Sequence, residues 1–198
     1  MTSRQIITAV ILLFALSIVH CRKIDLTPRN KNNTPGKAIT YIIRTGNHEC
    51  DQHSYIPVQY TEQKFKVLFD SSSIYKSLIP GNQYDIHKLY GFSDNDADHH
   101  NFSARFGWRW ENNALRLFTY VYNNSVLSKK EIMILQIGTV YNCSIKVSKE
   151  QYFFTVNDKS VSMLRLSTTE TGNGYKLFPY FGGDETAPHD IRIWIKEL

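Results

Sequence analysis

The amino-acid sequence predicts an all-β fold, an antiparallel β-sandwich of the jelly-roll, concanavalin- or LamG-like type. Three observations predict it. The chain of 198 residues is rich in sheet-favouring aromatics, with 12 Tyr, 11 Phe and 3 Trp. Apolar side chains recur at every second position in short runs, as where Ile191, Ile193 and Ile195 alternate with Arg192, Trp194 and Lys196. Turn-forming residues separate these runs at regular intervals, as in sandwiches and barrels. The hydrophobic fraction of 42% and charged fraction of 21% are those of a folded chain long enough for one real core.

Residues 1–20 read as a signal peptide. Arg4 supplies a positive start, and Ile6–Val19 is an apolar stretch of fourteen residues broken only by Thr8 and Ser17, short for a membrane span. Leu16-Ser17-Ile18-Val19-His20-Cys21 resembles a bacterial lipobox, in which the Cys is lipidated and heads the mature chain. His20 departs from the Gly, Ala or Ser expected there. The expectation is a lipid anchor on Cys21, with simple secretion as the alternative. The lipid would hold the exported protein to a membrane, in the periplasm or at the outer membrane or cell surface. Residues 21–37, with Pro28, Asn30, Asn32, Asn33, Pro35 and Gly36, form the tether, and residues 38–198 a single sandwich domain.

Within the domain, Ile39–Arg44 is a strand, and Ile56–Phe69 a long one with Phe65, Val67 and Phe69 on one face. Ser71–Asp98 lacks strand character; Pro80-Gly81 turns, and Ile86, Leu89 and Tyr90 at helical spacing predict a short helical segment near residues 83–90. Ser103–Trp110 sets Phe106, Trp108 and Trp110 against Arg105, Gly107 and Arg109. Leu115–Tyr122 sets Leu115, Leu117, Thr119 and Val121 against Arg116, Phe118, Tyr120 and Tyr122. Ile132–Ile137, Tyr141–Val147, Tyr152–Val156 and Val161–Leu166 follow, and then a strand of Tyr175, Leu177 and Phe178–Phe181. A loop made rigid by Gly182, Gly183 and Pro188 leads to the last strand, Ile191–Ile195, which should pair with Ile39–Arg44 or part of Ile56–Phe69.

Four groups carry candidate chemistry. Asp94, Asp96 and Asp98 sit at alternate loop positions, as oxygen ligands for Ca²⁺ would, although His99 and Arg105 stand where an EF-hand needs Gly and Glu; the other reading is a solvated turn. Asp98-His99-His100 offers transition-metal ligands, yet adjacent strand residues point to opposite faces. The Asp184, Glu185, His189 loop has material for acid–base work or for structural hydrogen bonds. Arg116, Tyr120, Tyr122 and Trp194 lie opposite aliphatic sets and are candidates for an exposed sugar-stacking face. Cys50 and Cys143 either pair as a disulfide or stand as free thiols. No G-x-S-x-G elbow, phosphate loop or dinucleotide fingerprint is present, and no cofactor is expected beyond Ca²⁺. The net charge of +5 is dispersed, with no basic run beyond Arg22-Lys23 and Lys129-Lys130, which argues against a nucleic-acid partner.

The stretches GFSDNDADHHNFSARFGWRWENNALRLFTYVYNN (Gly91–Asn124) and LFPYFGGDETAPHDIRIWIKEL (Leu177–Leu198) resemble a group of uncharacterised exported proteins and lipoproteins of Gram-negative, gut-type bacteria. The resemblance implies a compartment rather than a chemistry. The leading expectation is a lipid-anchored, non-enzymatic module that binds a glycan or an envelope protein. The alternatives are a jelly-roll polysaccharide-active enzyme, a glycoside hydrolase or lyase, and a structural envelope protein.

Overall fold

The computed structural model describes residues 36–198. The signal-peptide reading, Cys21 and all but the last two residues of the tether lie outside the described residues. No helix of the described residues is long and apolar enough to cross a membrane.

Twelve strands form two antiparallel six-stranded sheets. The first is built from β1 (Ile39–Ile43), β12 (Ile191–Glu197), β3 (Glu62–Phe69), β8 (Val140–Val147), β9 (Gln151–Val156) and β10 (Lys159–Leu164), in that spatial order. The second runs β2 (Pro57–Tyr60), β11 (Gly172–Leu177), β4 (His87–Ser93), β5 (Ser103–Glu111), β6 (Ala114–Asn123) and β7 (Val126–Leu135). Their inner faces interdigitate to make the core: Phe65 meets Phe106 at 5.7 Å between ring centroids, Phe69 meets Trp108 at 5.3 Å, and Phe106 meets Phe154 at 5.1 Å. Such offset and edge-on pairs add to the burial of large rings.

Strand β12 lies between β1 and β3, so both expected partners are used; Ile193 faces Tyr41 on one side and Phe69 on the other. Ile191, Ile193 and Ile195 are buried, as their alternation requires.

The short helical segment near residues 83–90 is corrected. A 3₁₀ turn occupies Pro80–Tyr84, and His87–Ser93 is strand β4. Strand β4 is interior to its sheet and nearly all buried, and a bulge between Lys88 and Gly91 turns both Leu89 and Tyr90 toward the core. Consecutive apolar positions then mimic helical spacing, because alternation fails at a bulge and in a strand covered on both faces. The strand read through Phe181 ends at Leu177; Tyr180 instead makes isolated bridges to Glu49 and Lys88. Strand β7 begins six residues before Ile132, with an exposed first half that gives no apolar alternation.

Cys50 and Cys143 are free and buried. Cys143 belongs to β8, paired with Phe65 and Val156, while Cys50 bridges Ile43. Burial pushes the Cys50 thiol up to about 11, so it stays protonated and unreactive at neutral pH.

Candidate functional site

The outer face of the second sheet carries the unusual chemistry. Strand pairing aligns it in transverse rows. One row is Gly91, Arg105, Tyr120 and Lys129; the next is Lys88, Gly107, Phe118 and Glu131; a third pairs Arg109 with Arg116. Phe118 and Tyr120 form a small apolar cluster with Ile86, against which Tyr122 packs, separate from the main core. Gly107 makes this possible, since a Cβ there would collide with the Ile86 side chain.

The segment after β11 closes one side of this face. Tyr180 is fixed to β4 by two backbone bonds, Lys88 N donating to Tyr180 O at 2.9 Å and Tyr180 N donating to Lys88 O at 3.0 Å. The Lys88 ammonium then sits between two rings, 5.2 Å from the Tyr120 centroid and 5.6 Å from that of Tyr180. His48 stacks on Tyr180 at 5.3 Å. The loop 98–100 covers another side: His99 Nδ1 lies 2.8 Å from the Tyr175 hydroxyl, and His100 meets Tyr122 edge-on at 5.6 Å.

These walls enclose a cavity of about 340 Å³ lined by Arg105, His99, Tyr55, Tyr175, Leu177 and Tyr180 among others, with Glu49 and His53 also on its wall. A neighbouring cleft, lined by Asp96 and Asp98, shares Tyr55 and Tyr175 with it. The two shared rings are 5.4 Å apart.

Arg105 is the unusual residue of the cavity. It is 5% exposed, and among the described residues its guanidinium has no carboxylate partner and no hydrogen-bond acceptor. It packs over Tyr120 at 5.3 Å. Burial lowers its pKa to about 10, while the phenols of Tyr120, Tyr122, Tyr175 and Tyr180 act in the opposite sense. Burial also brings Lys88 down to about 8, with Arg105 adding repulsion. His99 is lowered to about 4, first by burial and then by Arg105, so it is neutral at physiological pH. The other arginines of this face are compensated: Arg109 by Glu111, and Arg116 by Glu131 at 2.9 Å and Glu111 at 3.7 Å.

The residues expected from sequence are thus partly brought together. Tyr120 packs beneath Arg105 and Tyr122 meets His100, so both adjoin cavity residues without lining the cavity themselves. Arg116 lies on the same face but is held in ion pairs. Trp194, opposite the buried Ile193 and Ile195, lies on the outer face of the first sheet and does not join them. The Asp184–Asp190 loop is structural. Glu185 accepts bonds from the Leu78 and Ile79 amides at 2.8 Å each and from Asn82 at 3.0 Å, which fastens the 3₁₀ turn. His189 Nε2 lies 2.8 Å from the Ser72 carbonyl, and Asp190 pairs with Arg44 at 2.8 Å. Asp184 is exposed. Gly183 takes φ +91, where a side chain would be strained, and it packs on Asp85.

The three aspartates expected to share Ca²⁺ do not converge. Asp94 points inward, fully buried, against Arg165 at 2.8 Å, and it also accepts from Asn95 N and Asn173 N. Its oxygens are consumed by the protein, leaving Asp96 and Asp98 at the surface. One ligand atom from each of Asp98, His99 and His100 does lie within 4.8 Å of the others.

No protein-family model and no curated protein matches the sequence. Solved structures do resemble the fold. The alginate lyase AlyC3 superposes with a TM-score of 0.56 at 12% identity, over 80% of this chain and 72% of that chain. The fold is a jelly roll. Looser likeness extends to a glycoside hydrolase family 16 endo-glucanase from Bacteroides ovatus, with a TM-score of 0.47 at 10% identity over 83% and 84% of the chains. It extends also to the carbohydrate binding module CBM66 from Bacillus subtilis, at 0.40 and 10% over 83% and 94%.

Sequence alternation placed Arg105 on the outer face of its strand. What it lacked was the convergence of Lys88, Tyr175, Tyr180 and His99 around it. Lys88 falls on the strand mistaken for a helix, and the other three on segments whose approach is tertiary.

Proposed function

We propose that this protein is an exported, lipid-anchored glycan-binding module whose site is the outer face of the second sheet. The observation that carries the reading is the cavity floored by Arg105 and walled by Tyr55, Tyr175 and Tyr180. Flat phenol rings stack on the apolar faces of sugars, and recessed nitrogen donors orient on hydroxyl and acidic groups. The fold supports the reading as analogy, since the alginate lyase that shares it is named for a polysaccharide. Support for export and anchoring comes from the apolar amino-terminal run and Cys21; intact-mass measurement of membrane-extracted protein tests it, and a mature chain without acyl mass beginning elsewhere contradicts it.

Titration calorimetry of the full chain against a panel of soluble oligosaccharides tests the binding reading. Removing one stacking ring with Tyr180→Ala or Tyr55→Ala should weaken binding about tenfold, the value of about 1–1.5 kcal/mol for an aromatic contact. Unchanged affinity in both variants contradicts the site.

A second reading, a polysaccharide-active enzyme, draws on one observation. The Tyr175 phenol is hydrogen-bonded to a neutral His99 beside a cation, an arrangement able to move a proton. Release of new chain ends from a polysaccharide, lost in Tyr175→Phe, would establish it.

A further inference from the structure

We propose that the groove selects glycans carrying negative charge, with Arg105 as the receptor for a carboxylate or sulfate group of the sugar. This deepens the glycan-binding reading and rests on it. The argument starts from the cost of an isolated cation. A charged side chain removed from water is stable only when an opposite charge and hydrogen bonds replace the lost hydration. This protein meets that demand elsewhere: Arg165 by Asp94, Arg109 by Glu111, and Arg116 by Glu131. Arg105 is the departure. It is 5% exposed, its Nε is buried without a partner, and its surroundings are phenols and a second cation, Lys88.

The partner that is missing from the chain must come from outside, and the cavity says what shape it has. Arg105 lines a space whose other sides are Tyr175, Tyr180 and Tyr55. A sugar ring fits between such rings, and an acidic substituent on that ring reaches the guanidinium. The planar fork of arginine matches the two oxygens of a carboxylate and those of a sulfate ester equally. Neighbouring charges limit where the acid can sit. Asp96 and Asp98 line the adjacent cleft and repel it there, and Glu49, an exposed carboxylate 3.4 Å from His53, repels it at that part of the cavity wall, whereas Lys88 reinforces Arg105 on the β4 side. His99 is neutral and adds no competing charge.

The test is calorimetry of the full chain at physiological salt with short oligosaccharides of matched length: uronates, sulfate esters, and their neutral counterparts. One of the anionic sets should bind tighter than the neutral set by between about tenfold and a hundredfold, as a charge-assisted hydrogen bond warrants; which set wins distinguishes carboxylate from sulfate. Arg105→Met should erase that preference. The same variant should raise the melting temperature, because it removes an unpaired buried cation, and this shows that the lost preference is not lost folding. A parallel melt compares acetate with chloride at equal ionic strength. Acetate should raise the wild-type melting temperature and leave Arg105→Met unmoved.

Equal affinity for neutral and anionic glycans, or a preference that survives Arg105→Met, overturns the proposal while the glycan reading stands. If no glycan binds but acetate stabilises through Arg105, the anion receptor stands and the glycan reading falls. If no glycan binds and acetate does not act through Arg105, both are wrong.

Discussion

Asp94 and Arg165 meet with neither side chain exposed to water, and the carboxylate also receives the Tyr152 hydroxyl and the Asn173 amide. Removing one member of such a pair leaves the other charge buried alone. Asp94→Ala should therefore cost about 3–5 kcal/mol in urea unfolding. A loss below about 1 kcal/mol would show that water reaches Arg165. Single histidines set the acid limit. Gly182 N–H donates to His87 Nδ1, and burial first, with Lys88 second, lowers its pKa to about 3 from 6.5. The unfolded chain takes up this proton below pH 6.5 and the folded chain refuses it until about 3. Stability should fall as pH drops through that window, by up to about 1.4 kcal/mol per pH unit from this one group. His99, lowered to about 4, acts in the same direction. A melting temperature flat between pH 6.5 and 4 would contradict both assignments. At the other end, Lys88 has a pKa of about 8, so anion affinity should weaken as pH rises through 8 while Arg105 keeps its charge. The groups facing Lys88 are Arg105, Asp85, Lys129, Tyr120 and Tyr180.

Strand β12 shows what an element contributes. It supplies three isoleucines to the core and both neighbours of its sheet with hydrogen bonds. Ile193→Ala should cost about 2–5 kcal/mol, and deleting Asp190–Leu198 should abolish a cooperative melt, since typical domain stability is about 5–15 kcal/mol. The Glu185 clasp is local by comparison. Glu185→Ala should speed amide exchange at Leu78 and Ile79 and lower the melting temperature slightly; unchanged exchange would mean the turn holds without it. The elements that sequence revealed share a property: one face is buried and the other wet, so Ile191–Ile195, Ser103–Trp110 and Leu115–Tyr122 announce themselves by alternation. Strand β4 did not, because it is covered on both sides and bulged. The first half of β7 did not, because it is exposed throughout. The site shows the same division. Tyr120 and Tyr122 were legible as an outer face, whereas Trp194, equally alternate, was assigned to the same surface although it belongs to the other sheet. Alternation gives the face of a strand, and only topology gives which sheet that face belongs to.

At the scale of the whole molecule, the cavity exists because segments distant in sequence close over Arg105 of β5. Glu49, Cys50, residues 53–55, His99 and residues 175–180 all line the cavity with Arg105. Trp194, on the outer face of the first sheet, is not among the residues that line the cavity. The two faces therefore make opposite claims on a ligand. Amide and side-chain chemical-shift mapping of the full chain, titrated with the uronate or sulfate oligosaccharide that binds most tightly, distinguishes them directly. The expected result is a continuous set of shifts at Lys88, Arg105, Tyr120, Tyr175 and Tyr180, with the Arg105 guanidinium protons moved most and Trp194 unmoved. Shifts centred on Trp194 or on the Asp184–Asp190 loop, with Arg105 silent, would contradict the account.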